Sequence, residues 1–242
     1  MRSLGPFFAA VVLLAQPPGR STPMQTSLIP AFVYPISGAP LSVDITAERV
    51  NTPEGGVPTR IRETETVYRD GAGRLRSNLK GAAPEFEESG DIVSIVDTAG
   101  GFQAMLVPKA RRAFRRTIPV LTSGASSTGV SLLGGPAVAV SERPGKRTVR
   151  TEALGKRVIE GIEFEGKLTT VTIEEEGTLV ATDESWFSEE LGLFALKVTI
   201  RPGSKTTSRI QKVSRAEPDP SLFVIPPDYV IEELPETAPT GR

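Results

Sequence analysis

The side chains that most often run chemistry near neutral pH are missing from this chain, which has no histidine and no cysteine among its 242 residues. Ser-His-Asp triads, Cys-His dyads and zinc sites built on His or Cys are excluded, because the usual base, the thiolate and the commonest metal ligand are absent. Carboxylates and lysine remain. Carboxylates cluster at Glu174-Glu175-Glu176 and at Asp183-Glu184. An acid–base pair needs two carboxyl groups at a set separation in unlike environments. Adjacent glutamates before Gly177 read instead as a turn, and no calcium loop with alternating oxygen ligands is present. No enzyme, no metal and no cofactor are expected.

Gly161-Ile-Glu-Phe-Glu-Gly166-Lys167 has the spacing of a phosphate-binding loop as far as its lysine. Leu168 stands where Ser or Thr is required, and Thr169–Ile173 are strand formers, so no helix N-terminus follows to cradle phosphate. The segment reads as a hairpin with glycines at its corners. Lys109-Ala-Arg-Arg-Ala-Phe-Arg-Arg116 has the composition of a patch for phosphate, anionic lipid or an acidic partner. Against that, the net charge is −1 and acidic stretches lie at Glu85–Glu88 and Glu174–Glu176. A solvated strand face fits better, and no nucleic-acid partner is expected.

The residues left to hold a ligand are apolar. Phe194, Leu196, Val198 and Ile200 alternate as one face of a strand, and Trp186 and Phe187 precede them. Ligand sites are mostly apolar and concave. Trp186, Phe194, Leu196 and Val198 are therefore the candidate ligand-binding residues.

The elements that must position them are strands. Val43, Ile45 and Ala47 alternate with polar residues from Ser42 onward. Thr59–Arg69 meets the turn Asp70-Gly-Ala-Gly73 and continues at Arg74, as a hairpin. Ile92–Asp97 and Phe102–Val107 flank Thr98–Gly101 in the same way. Arg157–Phe164 alternates, and Lys167–Ile173 pairs behind Glu165-Gly166. Three further strands follow, and the tail Pro218–Tyr229 carries Leu222, Phe223, Val224 and Ile225, too apolar to leave in water. The best helical stretch is short, Ser185–Leu191. The fold class expected is mainly β: a single, strongly curved antiparallel sheet with little helix.

The N-terminus has the layout of a secretory signal peptide, with Arg2, an apolar run from Phe7 to Ala15 too short to span a bilayer, and prolines after it. The expected organisation is a signal peptide at 1–20, a flexible Pro/Ser/Thr-rich segment at 21–41, one β domain at 42–233 and a disordered tail at 234–242. Within the domain, 119–147 reads as a long loop, apolar enough to cover the sheet until a ligand displaces it. The localisation expected is periplasmic or secreted, with no transmembrane segment in the mature chain.

Glu152-Ala-Leu-Gly155, Val158-Ile-Glu-Gly161, Glu165–Thr170, Glu184–Leu191 and Glu217–Tyr229, in that order, resemble a group of exported bacterial proteins of uncharacterised activity. The hairpin Tyr68–Arg74 and the segment Leu106–Arg116 fit the same order. More distantly, the layout is similar to the periplasmic outer-membrane lipoprotein-carrier fold, a half-barrel with an apolar inner face. That resemblance implies a non-enzymatic protein holding a lipid or lipoprotein acyl chain on the concave face of its sheet. The alternative is an envelope module whose sheet is filled by its own side chains and whose partner is another envelope protein.

Overall fold

A computed structural model describes residues 32–80, 91–118, 120, 146–174 and 178–235. The expected signal peptide, nearly all of the 119–147 loop, Glu85–Glu88, Glu175–Gly177 and the last seven residues lie outside the described residues.

The described strands are β1 (Leu41–Asn51), β2 (Thr59–Arg69), β3 (Leu75–Lys80), β4 (Ile92–Asp97), β5 (Phe102–Val107), β6 (Arg112–Thr117), β7 (Lys146–Ile159), β8 (Ile162–Glu174), β9 (Thr178–Ser188), β10 (Leu193–Arg201), β11 (Ser204–Ser214) and β12 (Val230–Glu233). They form one open sheet in the order β12-β6-β5-β4-β3-β2-β1-β11-β10-β9-β8-β7. Two meanders, β1–β6 and β7–β11, join side by side where β1 pairs with β11. All pairings are antiparallel except β12 with β6. No described helix is long and apolar enough to cross a membrane.

Local chemistry sets the turns. After β2 the Asp70 carboxylate accepts from the backbone N–H of Arg74 at 2.8 Å and from its Nε–H at 2.6 Å. Gly73 sits at φ +87°, which suits only glycine at low cost. Between β7 and β8, Glu160 and Gly161 both have positive φ, the signature of a type I′ hairpin turn. The sequence pattern placed that turn at Glu165-Gly166. It falls five residues earlier, and Gly166 is instead an interior residue of β8, opposite Trp186 on β9. The expected helix at Ser185–Leu191 is the end of β9 and a turn, because Ser185–Ser188 complete the ladder to β10. Short 3-10 turns occur at Pro108–Ala110 and Pro220–Phe223.

The sheet is apolar on both sides in different places. Ladder partners share a face, so Leu41, Val43, Ile45 and Ala47 of β1 lie with Val67, Leu75 and Leu79 on one side, here called the Leu41 face. On the other side, Val93, Ile95, Ala104, Leu106 and Ala113 form a second cluster under Ile225 and Tyr229 of the tail. The tail is docked by Phe223, which is buried, and by Arg76, whose Nη1–H donates to the Leu222 carbonyl at 2.8 Å. Val224 points outward. At the other end of the tail, β12 sets Glu232 and Glu233 beside Arg112 and Arg115, so the basic run 109–116 is partly neutralised within the sheet.

The segment before β1 is not a spacer throughout. Phe32 and Val33 are buried, Val33 bridges Leu193, and Phe194 donates its N–H to the Phe32 carbonyl at 2.9 Å.

Candidate functional site

Strand β2 carries the site that sequence patterning missed. Its register against β1 turns Ile61, Glu63, Glu65, Val67 and Arg69 onto the Leu41 face. Two carboxylates and a guanidinium are thereby set among apolar neighbours.

Glu65 is 4% exposed and lies between its ladder partners Ile45 and Leu79. The Ser77 hydroxyl donates to its Oε1. Burial pushes its carboxyl up to about 7, against the pull of the Ser77 bond and with a smaller push from Glu63. Glu63, two residues back, is also buried. Its row across the sheet runs Glu63, Ala47, Ser208, Lys197 and Ser185. Apart from Glu65 and Ser77 the next rows are apolar: Leu79, Ile45 and Ile210, then Val67 and Val43. The Leu41 face therefore grades from apolar to polar along the strands. Burial lowers the Lys197 ammonium pKa, and its Nζ stands 4.6 Å above the Phe194 ring.

Arg69 closes the apolar end and is 0% exposed. Its Nε–H donates to the Ala39 carbonyl at 2.6 Å, and its Nη1 to Tyr34 and Leu191 carbonyls at 2.8 Å each. Its buried Nη2 has no hydrogen-bond partner among the described residues. Burial lowers its pKa to about 10, so it stays charged at neutral pH.

A carboxyl titrating near neutrality is what acid–base catalysis uses. Here its partners are one hydroxyl and two aliphatic residues, an arrangement suited to a neutral carboxyl in an apolar wall. Among the described residues no group of three or more Asp or Glu is placed to hold a metal ion.

The four candidate residues from the sequence do not share a face. The ladder skips Ala195: Phe194 pairs with Phe187, and Leu196 pairs with Trp186. This bulge turns Phe194 to the side opposite Leu196 and Val198. Trp186, Leu196 and Val198 are brought together on the face away from Leu41. Phe194 packs with Phe187, Phe32 and Tyr34, at centroid distances of 4.7, 6.1 and 6.1 Å. Trp186 is 2% exposed, its Nε1–H donates to Glu184 at 2.7 Å, and the Arg157 guanidinium lies 4.1 Å from its ring centroid. Its surroundings are filled by the protein's own groups. The residues 161–167 run through a hairpin turn into a strand, with no helix to bind phosphate.

No family model and no curated protein matches the chain. Among solved structures it is distantly similar to MucB in complex with MucA, at 10% identity and a TM-score of 0.33, with 77% of this chain matched to 56% of that one. The chain thus spans a little over half of that protein. It is also similar to a putative outer membrane lipoprotein-sorting protein domain from Vibrio parahaemolyticus, at 9% identity and a TM-score of 0.33, covering 76% of this chain and 88% of that one. A LolA superfamily protein from Nitrosomonas europaea is similar at 9% identity and a TM-score of 0.32, with coverages of 78% and 91%.

Proposed function

We propose that this is an exported, periplasmic, non-enzymatic binding protein that holds an apolar or acyl-chain ligand on the Leu41 face of its sheet. One observation carries the reading. The Leu41 face is mainly apolar across β3, β2, β1 and β11, broken by Ser77, Glu65 and Arg69, and its cluster also takes in Phe32 and Val33 of the segment before β1. The Pro220–Phe223 turn lies on the opposite face, where Arg76 reaches Leu222. Leu41, Val43, Ile45 and Ala47 are buried, so an acyl chain occupies this face by displacing the chain's own cover. The Glu63, Ser208 and Lys197 row at one end suits the polar head of an amphipathic ligand. The alternative, an envelope interaction module with a filled sheet, is favoured in the β8–β10 half by the packing around Trp186.

The test is mass spectrometry of lipid extracted from protein purified from its native compartment, followed by titration of delipidated protein with an environment-sensitive acyl probe. Co-purified acyl lipid and saturable probe binding support the reading. Neither lipid nor saturable binding leaves the interaction module standing.

A further inference from the structure

The outer edge of β7 is exposed on every side. β7 is 14 residues long and, among the described residues, ends the sheet and pairs only with β8. Every side chain from Arg147 to Val158 is exposed, so neither face of the strand is covered. Val149 is 53% exposed and Val158 68%. The opposite edge is different: β12 has four residues, and its glutamates are paired with Arg112 and Arg115.

We propose that Lys146–Ala153 of β7 docks an extended acidic segment of a partner protein, which adds to the sheet as one more strand. Thr148, Val149 and Thr151 are strand formers, and the stretch holds no proline or glycine. The ladder irregularity that interrupts β7 comes only after Ala153. Exposed edges are usually guarded by short length, proline, a bulge or charged side chains. Of these, only charge guards Lys146–Ala153.

Charge selects the occupant. The segment's sequence holds three cations, Lys146, Arg147 and Arg150, and one carboxylate, Glu152, which lies 3.3 Å from Arg150 at a largely exposed site. On β8 the ladder partners from Glu174 to Lys167 include one carboxylate. With three cations and one carboxylate the segment carries a net charge of +2, so a second copy of β7 would set two positive segments side by side, whereas a strand alternating carboxylates with aliphatic residues lines one face with charge, opposite Arg147 or Arg150, and the other with apolar surface. The charges that repel a second copy therefore attract an acidic strand. Main-chain pairing supplies affinity and side-chain alternation supplies selectivity.

The probe is a labelled peptide of about eight residues alternating glutamate and valine, a length matched to the free stretch. Fluorescence anisotropy with the full chain should show saturable binding, and amide shifts should fall on β7 and β8. The Arg147→Glu, Arg150→Glu double variant should weaken binding by about tenfold or more. Both side chains are exposed, so the variant should keep the parent melting temperature. N-methylation of alternate peptide amides should abolish binding, since it removes main-chain donors and leaves the charge. Equal binding of the N-methylated peptide, absence of saturable binding, or shifts confined to other strands would each overturn the proposal.

Discussion

The indole of Trp186 lies across the backbone of Gly166 on the neighbouring strand. A Cβ on Gly166 would stand 2.7 Å from Cη2 and 2.8 Å from Cζ2 and Cζ3 of the ring. Glycine inside a strand is ordinarily weakening, because it has no side chain to pack. Here an aromatic residue on the adjacent strand occupies the space the missing side chain leaves. Arg157 covers the ring, and Glu184 accepts from its N–H. The tryptophan thus serves as packing between β8 and β10.

Gly166→Ala should therefore destabilise the fold through collision, not through backbone conformation. Overpacking of this kind costs about 1–3 kcal/mol. Trp186→Ala should cost about 3–5 kcal/mol, as for other large-to-small changes in a core. The pair should be non-additive, because removing the ring removes the collision. Urea denaturation of the two single variants and the double variant checks this. Additive effects would show that the ring and the glycine do not share the space.

Glu65 predicts a pH dependence. Its ordinary pKa of 4.5 is raised to about 7 in the fold. Between these values the native protein keeps a proton that the unfolded chain has lost, so stability falls as pH rises through the window. It is greatest below pH 4.5 and lowest above about 7, as far as this group is concerned. Glu65→Gln keeps an acceptor for Ser77 and cannot ionise. It should flatten this slope and exceed the parent in stability at pH 8 by up to about 3 kcal/mol. Denaturation midpoints at pH 5 and pH 8 check both statements. Parallel pH profiles for parent and variant would refute them.

These two sites mark how far the sequence could be read. The strands with clean alternation, such as Val43, Ile45 and Ala47, and the Asp70–Gly73 turn were legible from residue types alone, and one open, mainly antiparallel sheet follows from them. β2 was legible as a strand but not as a site. Its two faces read Ile-Glu-Glu-Val-Arg and Arg-Arg-Thr-Thr-Tyr, and only the pairing with β1 decides which set is buried. The bulge at Ala195 left no mark in the alternation Phe194, Leu196, Val198, and a single extra residue moves a side chain to the other face. Gly166 looked like a turn because glycine usually is one. Its reason lay twenty residues away, in Trp186.

The tail offers a check on docking by one side chain. Phe223 is buried with the Arg74 guanidinium 5.1 Å from its ring centroid, and the Asp219 carboxylate accepts from the Ser221 N–H to start the 3-10 turn that presents it. Phe223→Ala should cost about 3–5 kcal/mol. Val224→Ala, one residue on at an exposed position, should stay within about 0.5 kcal/mol of the parent. Thermal melts of the two variants side by side separate a docked phenylalanine from a tail that contributes little. Equal melts would count against docking.

Arg69 holds three parts of the chain together. Its guanidinium donates to carbonyls of Tyr34 and Ala39 before β1 and of Leu191 in the β9–β10 turn. Beside it, Tyr34 donates its N–H to Gly192 and Phe194 donates to Phe32, so the segment before β1 is fastened to the start of β10. Arg69→Met fills much of the volume but leaves three carbonyls without their donor. Loss of a buried charged donor from such a set costs about 3–5 kcal/mol. Arg69→Lys should rescue little, because an ammonium cannot reproduce the planar fork that reaches three separate acceptors. The effect should also be local. Hydrogen exchange at the Tyr34 and Phe194 amides should accelerate more than at β1 residues such as Ile45, since the segment can detach while the sheet remains. Uniform acceleration, or full rescue by lysine, would show that Arg69 supports the whole sheet through its charge and not through this three-way contact.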